Sequence, residues 1–123
     1  MAKILLADDD EGLRKATKRL LEAHGHDVTD VVDGIEAVNL LQHEHFDLVI
    51  SDQSMPGMSG LEVLLRLRVA HNEVKFILYS GESGLELGLV CKKHDAMFFL
   101  KGACDLASKV DEFLTLNQAS HTR

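Results

Sequence analysis

The chain predicts an α/β fold, a doubly wound (βα)5 parallel sheet with strand order 2-1-3-4-5. Three observations carry that prediction. Short apolar runs alternate with amphipathic stretches five times along the 123 residues. The clearest runs, Ile4-Leu-Leu-Ala7 and Leu48-Val-Ile50, are continuously apolar, as when both faces of a parallel sheet are covered. Acids, a hydroxyl and a lysine stand where runs end, and open α/β sheets place their chemistry at the carboxyl ends of strands. Strict alternation implies right-handed crossovers with helices on both faces.

The first strand spans Lys3 to Ala7, and a helix follows from about Glu11 to His24. Leu13, Ala16, Thr17, Leu20 and Leu21 share a face at helical spacing, and Gly25 is its stop. Val28 to Val32 form a second, weaker strand. Asp33-Gly-Ile-Glu36 has capping-box spacing and opens a helix carrying Ile35, Val38 and Leu41. The third strand ends at Asp52, and the chain turns at Pro56-Gly57. Ser59-Gly-Leu-Glu62 is a capping box for a helix through Leu61, Leu64, Leu65 and Arg68. Lys75 to Tyr79 form strand four. Ser83-Gly-Leu-Glu86 is another capping box, for a helix ending in Lys92, Lys93 and His94. Ala96 to Leu100 form strand five, and the last helix covers about Ala103 to Asn117.

The length fits a single domain with one core over about 3–117 and a polar tail over about 118–123. No output domain is expected behind the last helix. A formal charge of −7, without a lysine or arginine cluster, argues against a nucleic-acid surface. No apolar run approaches the ~20 residues of a membrane span. Acids arrive at Asp8, too early for a secretory signal, so a cytoplasmic location is expected. Cys91 and Cys104 lack metal-ligand spacing and read as free thiols. The pairs His24/His26 and His43/His45 read as solvated loop residues.

In a parallel sheet the strand ends meet at one edge. Strand one brings Asp8, Asp9 and Asp10, strand three Asp52, strand four Ser80 and strand five Lys101. Clustered carboxylates repel and raise one another's pKa unless a cation sits among them. Hard oxygen ligands on an open edge suit Mg²⁺ or Mn²⁺, which keep several waters and accept a phosphate oxygen. Lys101 supplies the opposite charge and Ser80 a donor. Phosphoryl transfer needs positioning and charge neutralisation, and this set offers both. Asp10 is more simply a helix cap.

With those residues in place, the chain resembles the receiver domain of bacterial two-component response regulators, a flavodoxin-like fold. The motifs are Ile4-Leu-Leu-Ala-Asp-Asp-Asp10, Asp47-Leu-Val-Ile-Ser-Asp52 with Met55-Pro-Gly-Met-Ser-Gly60, Ile77-Leu-Tyr-Ser-Gly81 and Ala96-Met-Phe-Phe-Leu-Lys101. They cover essentially the whole chain. The resemblance implies that Asp8, Asp9, Asp52 and the backbone carbonyl of Ser54 hold Mg²⁺, and that Asp52 accepts the phosphoryl group. It implies Ser80 and Phe98 as switch residues and Lys101 as the lysine that contacts the phosphate. Ser54 and Glu82 would set the phosphate's lifetime.

It also implies the partners. A sensor histidine kinase or phosphotransfer protein would donate from a phosphohistidine. A downstream protein would read the face of helix four, strand five and helix five, and the chain would be a monomer or a phosphorylation-dependent homodimer. A haloacid-dehalogenase-like phosphatase would also use Asp8-x-Asp10, but it expects a further acidic pair after the lysine strand and leaves Asp52 without a role. A receiver that serves only as an unphosphorylated interaction module is the other alternative. The departure from the family pattern is Gly102, where proline is usual. A trans Lys101–Gly102 bond or a loop of several conformations is therefore expected, with Lys101 held less firmly and Gly102→Pro ordering the loop.

Overall fold

The apolar runs become the strands of a single sheet, and the helices between them cover both its faces. The elements in chain order are β1 (Lys3–Ala7), α1 (Glu11–Ala23), β2 (Asp27–Val31), α2 (Gly34–His43), β3 (Leu48–Asp52), α3 (Gly60–Val69), β4 (Lys75–Ser80), α4 (Leu85–Lys93), β5 (Met97–Leu100) and α5 (Leu106–His121). This computed structural model describes residues 1–81, 84–102 and 105–121, of which 116–121 by backbone course alone. Ser83, the expected cap of the fourth helix, lies outside the described residues, as do Ala103, Cys104 and Glu82.

Every strand pairing is parallel, in the order β2-β1-β3-β4-β5. Because side chains alternate across a strand, residue parity decides the face. Ile4, Leu6, Leu48, Ile50, Ile77 and Tyr79 pack with Leu21 of α1 and with Ala107 and Val110 of α5. Leu5, Ala7, Val49, Phe76 and Leu78 pack with α2, α3 and α4 on the opposite face. β1 and β3 neighbour each other while their following helices lie on opposite faces, so a crevice opens where β1 and β3 end.

The starts of α1, α2 and α3 follow their sequence signals, whereas α4 has Gly84 as its N-cap and no side-chain cap bond. Asp10 accepts from the Leu13 amide and Asp33 from the Glu36 amide. Ser59 and Glu62 form a reciprocal capping box. Gly25, just past α1, has φ +91°, a conformation that suits glycine.

Several inward faces differ from expectation. Of the expected α1 face, Thr17 and Leu21 are buried, while Leu13, Ala16 and Leu20 are exposed and Arg14 turns inward in their place. Arg14 turns inward because its guanidinium has partners there. It donates to Asp30 Oδ2 at 2.9 Å and to the Asp8 carbonyl at 3.1 Å. Ile35 is exposed, while Gly34, Ala37 and Leu41 face the core. A Cβ on Gly34 would stand 2.8 Å from the Met58 carbonyl oxygen, so that close approach fixes the rotation of α2. β2 starts and ends one residue earlier than expected, with Val32 outside it and exposed. The last helix, described from Leu106, runs on to His121 rather than stopping near Asn117.

His24 and His26 are not solvated loop residues. Each contacts one oxygen of Asp111 at 2.7 Å, which ties α5 to the chain between α1 and β2. The His26 Nδ1 accepts from the Ala2 amide at 3.2 Å, so its Nε2 is the proton-bearing nitrogen toward Asp111. The two imidazoles hold the Asp111 carboxyl below its ordinary range.

Arg68 is a second structural hub. It donates to the carbonyls of His94 at 2.8 Å, Asn72 at 2.9 Å and Val74 at 3.0 Å, joining the end of α3 to the chain around β4 and β5. Arg68→Ala would leave those carbonyls without their donor. It is expected to cost roughly 2–3 kcal/mol in urea unfolding. Arg68→Lys should recover little, because an ammonium cannot span the fork of a guanidinium.

Candidate functional site

Three carboxylates converge where β1 and β3 end. Asp8 and Asp9 follow β1, and Asp52 is the last residue of β3. One oxygen from each lies within 4.8 Å of the others. Asp8 and Asp52 are buried and Asp9 is exposed, so the cluster opens to solvent on one side. Asp10 is not part of it. Its carboxylate caps α1, and its amide donates to Asp8 Oδ1 at 2.9 Å. The Asp-x-Asp pairing expected of a phosphatase is therefore not formed in this crevice.

Lys101 comes to the same place from the end of β5. Its Nζ is 3.1 Å from Asp52 Oδ1, and its amide donates to the Ser80 carbonyl at 2.8 Å. The ammonium also lies 5.0 Å from the centre of the Tyr79 ring. Lys101 thus has three contacts, through its ammonium to Asp52 and the Tyr79 ring and through its amide to Ser80. The Lys101–Gly102 peptide is trans, and Gly102 has φ +80°. Proline fixes φ near −65°, so Gly102→Pro would have to rearrange this turn, where the sequence had suggested that it would order it.

Burial raises the Asp52 carboxyl above its ordinary range. The Lys101 ammonium works against that shift, and the charge of Asp8 adds to it. The Ser54 amide donates weakly to Asp52 Oδ1, at 3.4 Å. Ser80 is buried at the end of β4. Phe98 is two positions before Ser80's β5 partner, Leu100, pairs in register with Leu78, and is partly buried against the α4 side of the core. Glu82 lies outside the described residues.

Hard oxygen donors around an open crevice are the donor set that magnesium takes. Burial outweighs the Lys101 ammonium, so the charged form of Asp52 stays disfavoured unless a further cation joins it. By both criteria the residues present fit such an ion.

Two supporting residues escaped the sequence reading. The Tyr79 hydroxyl donates to Asp8 Oδ2 at 2.7 Å. A tyrosine in a fully buried strand must find a partner for its O–H, and its parity puts it on the face of Asp8 and Asp52. Arg14 grips the Asp8 backbone. Its signal was the 14, 17, 21 spacing, which is that of the buried face of α1.

The family model of the response regulator receiver domain matches residues 4–110. The chain is 34% identical over 87 residues to the response regulator receiver protein CpdR of Brucella abortus, covering 71% of this chain and 72% of that protein. It is 35% identical over 82 residues to the sensor kinase CckA of the same organism, 65% of this chain but only 9% of that much longer protein. Among solved structures it is similar to the response regulator TrrA of Thermotoga maritima in complex with Mg²⁺-BeF. The TM-score is 0.81 at 30% identity, covering 93% of this chain and 99% of that one. The chain belongs to the response regulator receiver domain family of two-component signalling, whose members interact with sensor histidine kinases or phosphotransfer proteins.

Proposed function

We propose that Asp52 of this receiver accepts a phosphoryl group from a phosphohistidine and that the chain relays it as a conformational signal. The observation that carries this reading is the setting of Asp52. It ends β3 between two further carboxylates and lies 3.1 Å from the Lys101 ammonium.

In the reaction an Asp52 carboxylate oxygen attacks phosphorus in line with the leaving imidazole. The new P–O bond forms as the P–N bond breaks, and the imidazole departs with the electron pair. Asp8, Asp9, Asp52 and the Ser54 carbonyl would hold Mg²⁺, with Mn²⁺ able to replace it. The bound ion supplies charge neutralisation for the phosphoryl oxygens. Lys101 adds a positive charge from the β5 side, and the Ser80 hydroxyl donates to a phosphoryl oxygen. Ser80 moving toward the phosphate lets Phe98 turn inward, a shift between two conformations biased by new charge-assisted hydrogen bonds. Ser54 and Glu82 flank the path of the hydrolytic water and set the lifetime of the phosphorylated form.

Exposed Leu85, Leu89, Met97 and Leu100 support α4 and β5, with α5, as the face read by a downstream protein. This reading takes the chain as one receiver domain that is a monomer, or a homodimer once phosphorylated. It needs no nucleic acid or membrane. No helix of the described residues is long and apolar enough to cross a membrane, which fits a cytoplasmic protein.

Metal titration tests the acid trio. Asp9→Ala should weaken Mg²⁺ binding by at least tenfold in calorimetry. Asp10→Ala should leave it nearly unchanged and cost only the α1 cap, ~1 kcal/mol. Equal losses in both variants would contradict the assignment.

A further inference from the structure

We propose that Tyr79 is a positioning residue that holds both charged partners of the phosphoryl site, Asp8 through its hydroxyl and Lys101 through its ring. The proposal rests on the reading of the acid trio as the Mg²⁺ site and extends it to a side chain which that reading leaves unused. Tyr79 is buried near the end of β4 and pairs in register with Asp52 of β3. Its O–H reaches Asp8 Oδ2 at 2.7 Å. The other Asp8 oxygen accepts from the Asp10 amide at 2.9 Å. Both oxygens of this buried carboxylate are therefore fixed, and its plane is set before any cation arrives. Partners that orient a metal-ligating group in this way are typically worth about 10–100-fold in metal affinity.

The same side chain acts on the opposite charge. The Lys101 ammonium is 5.0 Å from the Tyr79 ring centre and 3.1 Å from Asp52 Oδ1. The ring face attracts the cation, so Lys101 rests between the phenol and the acceptor carboxylate. Asp8, Tyr79, Lys101 and Asp52 form one connected chain of contacts. The two halves of that chain are separable by substitution. Phenylalanine removes the hydroxyl and keeps the ring. Leucine removes both.

The test measures Mg²⁺ affinity by calorimetry with MgCl₂ and the initial rate of labelling by acetyl phosphate at saturating Mg²⁺. Folding of each variant is verified by circular dichroism. Tyr79→Phe is expected to weaken Mg²⁺ binding about tenfold while the rate at saturating metal stays within about twofold of wild type, since the ring remains under Lys101. Tyr79→Leu is expected to show the same affinity loss and, in addition, a rate about fivefold lower. Tyr79 is the sole tyrosine and the chain has no tryptophan. Wild-type emission therefore reports this phenol alone, and it should change saturably with MgCl₂ at the calorimetric affinity.

Asp9→Ala separates the levels of failure. Loss of Mg²⁺ binding in Asp9→Ala with full affinity in Tyr79→Phe overturns the role of the hydroxyl and leaves the metal site standing. Wild-type affinity in both variants overturns the metal site and this proposal together. A wild-type rate in Tyr79→Leu at saturating Mg²⁺ overturns the role of the ring.

Discussion

Asp52→Asn is expected to abolish phosphoryl acceptance and, in the metal-free protein, to raise the unfolding midpoint. The first effect follows from chemistry, because an amide oxygen does not form the acyl phosphate. The second follows from the site's electrostatics. Asp52 is buried beside the Asp8 carboxylate, and Lys101, with a weak bond from the Ser54 amide, offsets only part of the cost of its charge. Its carboxyl is raised, so the folded protein takes up this proton at higher pH than the unfolded chain does. Ionised Asp52 thus opposes folding above its folded-state pKa. The penalty fades as pH falls and is gone below the unfolded carboxylate value of about 3.9. The stability gain of Asp52→Asn should be complete at neutral pH, roughly 1 kcal/mol, and should close in acid. Saturating Mg²⁺ should reverse the order, because wild type binds the ion and the variant binds it poorly. A variant less stable than wild type at neutral pH without metal would refute the electrostatic account.

Gly60→Ala is expected to be the most damaging small substitution in the chain. Gly60 opens α3 against the end of β3, with its amide donating to the Gln53 carbonyl at 3.0 Å. A Cβ there would overlap the Asp52 carbonyl oxygen, and it would stand 2.5 Å from Leu78 Cδ1 and 2.9 Å from Ser51 Oγ. The first obstacle is backbone, so α3 must move away from β3. Overpacking that displaces backbone costs about 1–3 kcal/mol, and values above that mark the severe cases. We expect a loss of at least ~3 kcal/mol by urea unfolding. The fraction that folds should also accept phosphate slowly, because the obstructing carbonyl belongs to Asp52 itself. Alanine at Gly102, whose Cβ would meet nothing within 4 Å among the described residues, is the contrast. There the cost comes from φ +80° alone and should be near 1 kcal/mol.

The meeting of Asp8, Asp52 and Lys101 was legible in the sequence because each stands at the end of an apolar run, and a parallel sheet brings such ends to one edge. Asp10 was legible as a cap from its position alone. Tyr79, Arg14 and the Asp111 tie were not. Tyr79 finds Asp8 across 71 positions and Asp111 finds His26 across 85, and no local pattern encodes such pairs. Arg14 shares the 14, 17, 21 spacing of the buried face, but only its partners Asp30 and the Asp8 carbonyl make an inward guanidinium tolerable. The rotation of α2 was hidden for a related reason. Hydrophobicity nominated Ile35, while the decisive fact was a backbone contact that only Gly34 permits.

The most direct measurement of the central claim is to label the protein with acetyl phosphate and Mg²⁺, digest it, and locate the modified residue by mass spectrometry. One phosphoryl group on Asp52, dependent on Mg²⁺ and absent from Asp52→Asn, is the predicted result. A phosphoryl group on another residue, or full labelling of Asp52→Asn, would contradict the account.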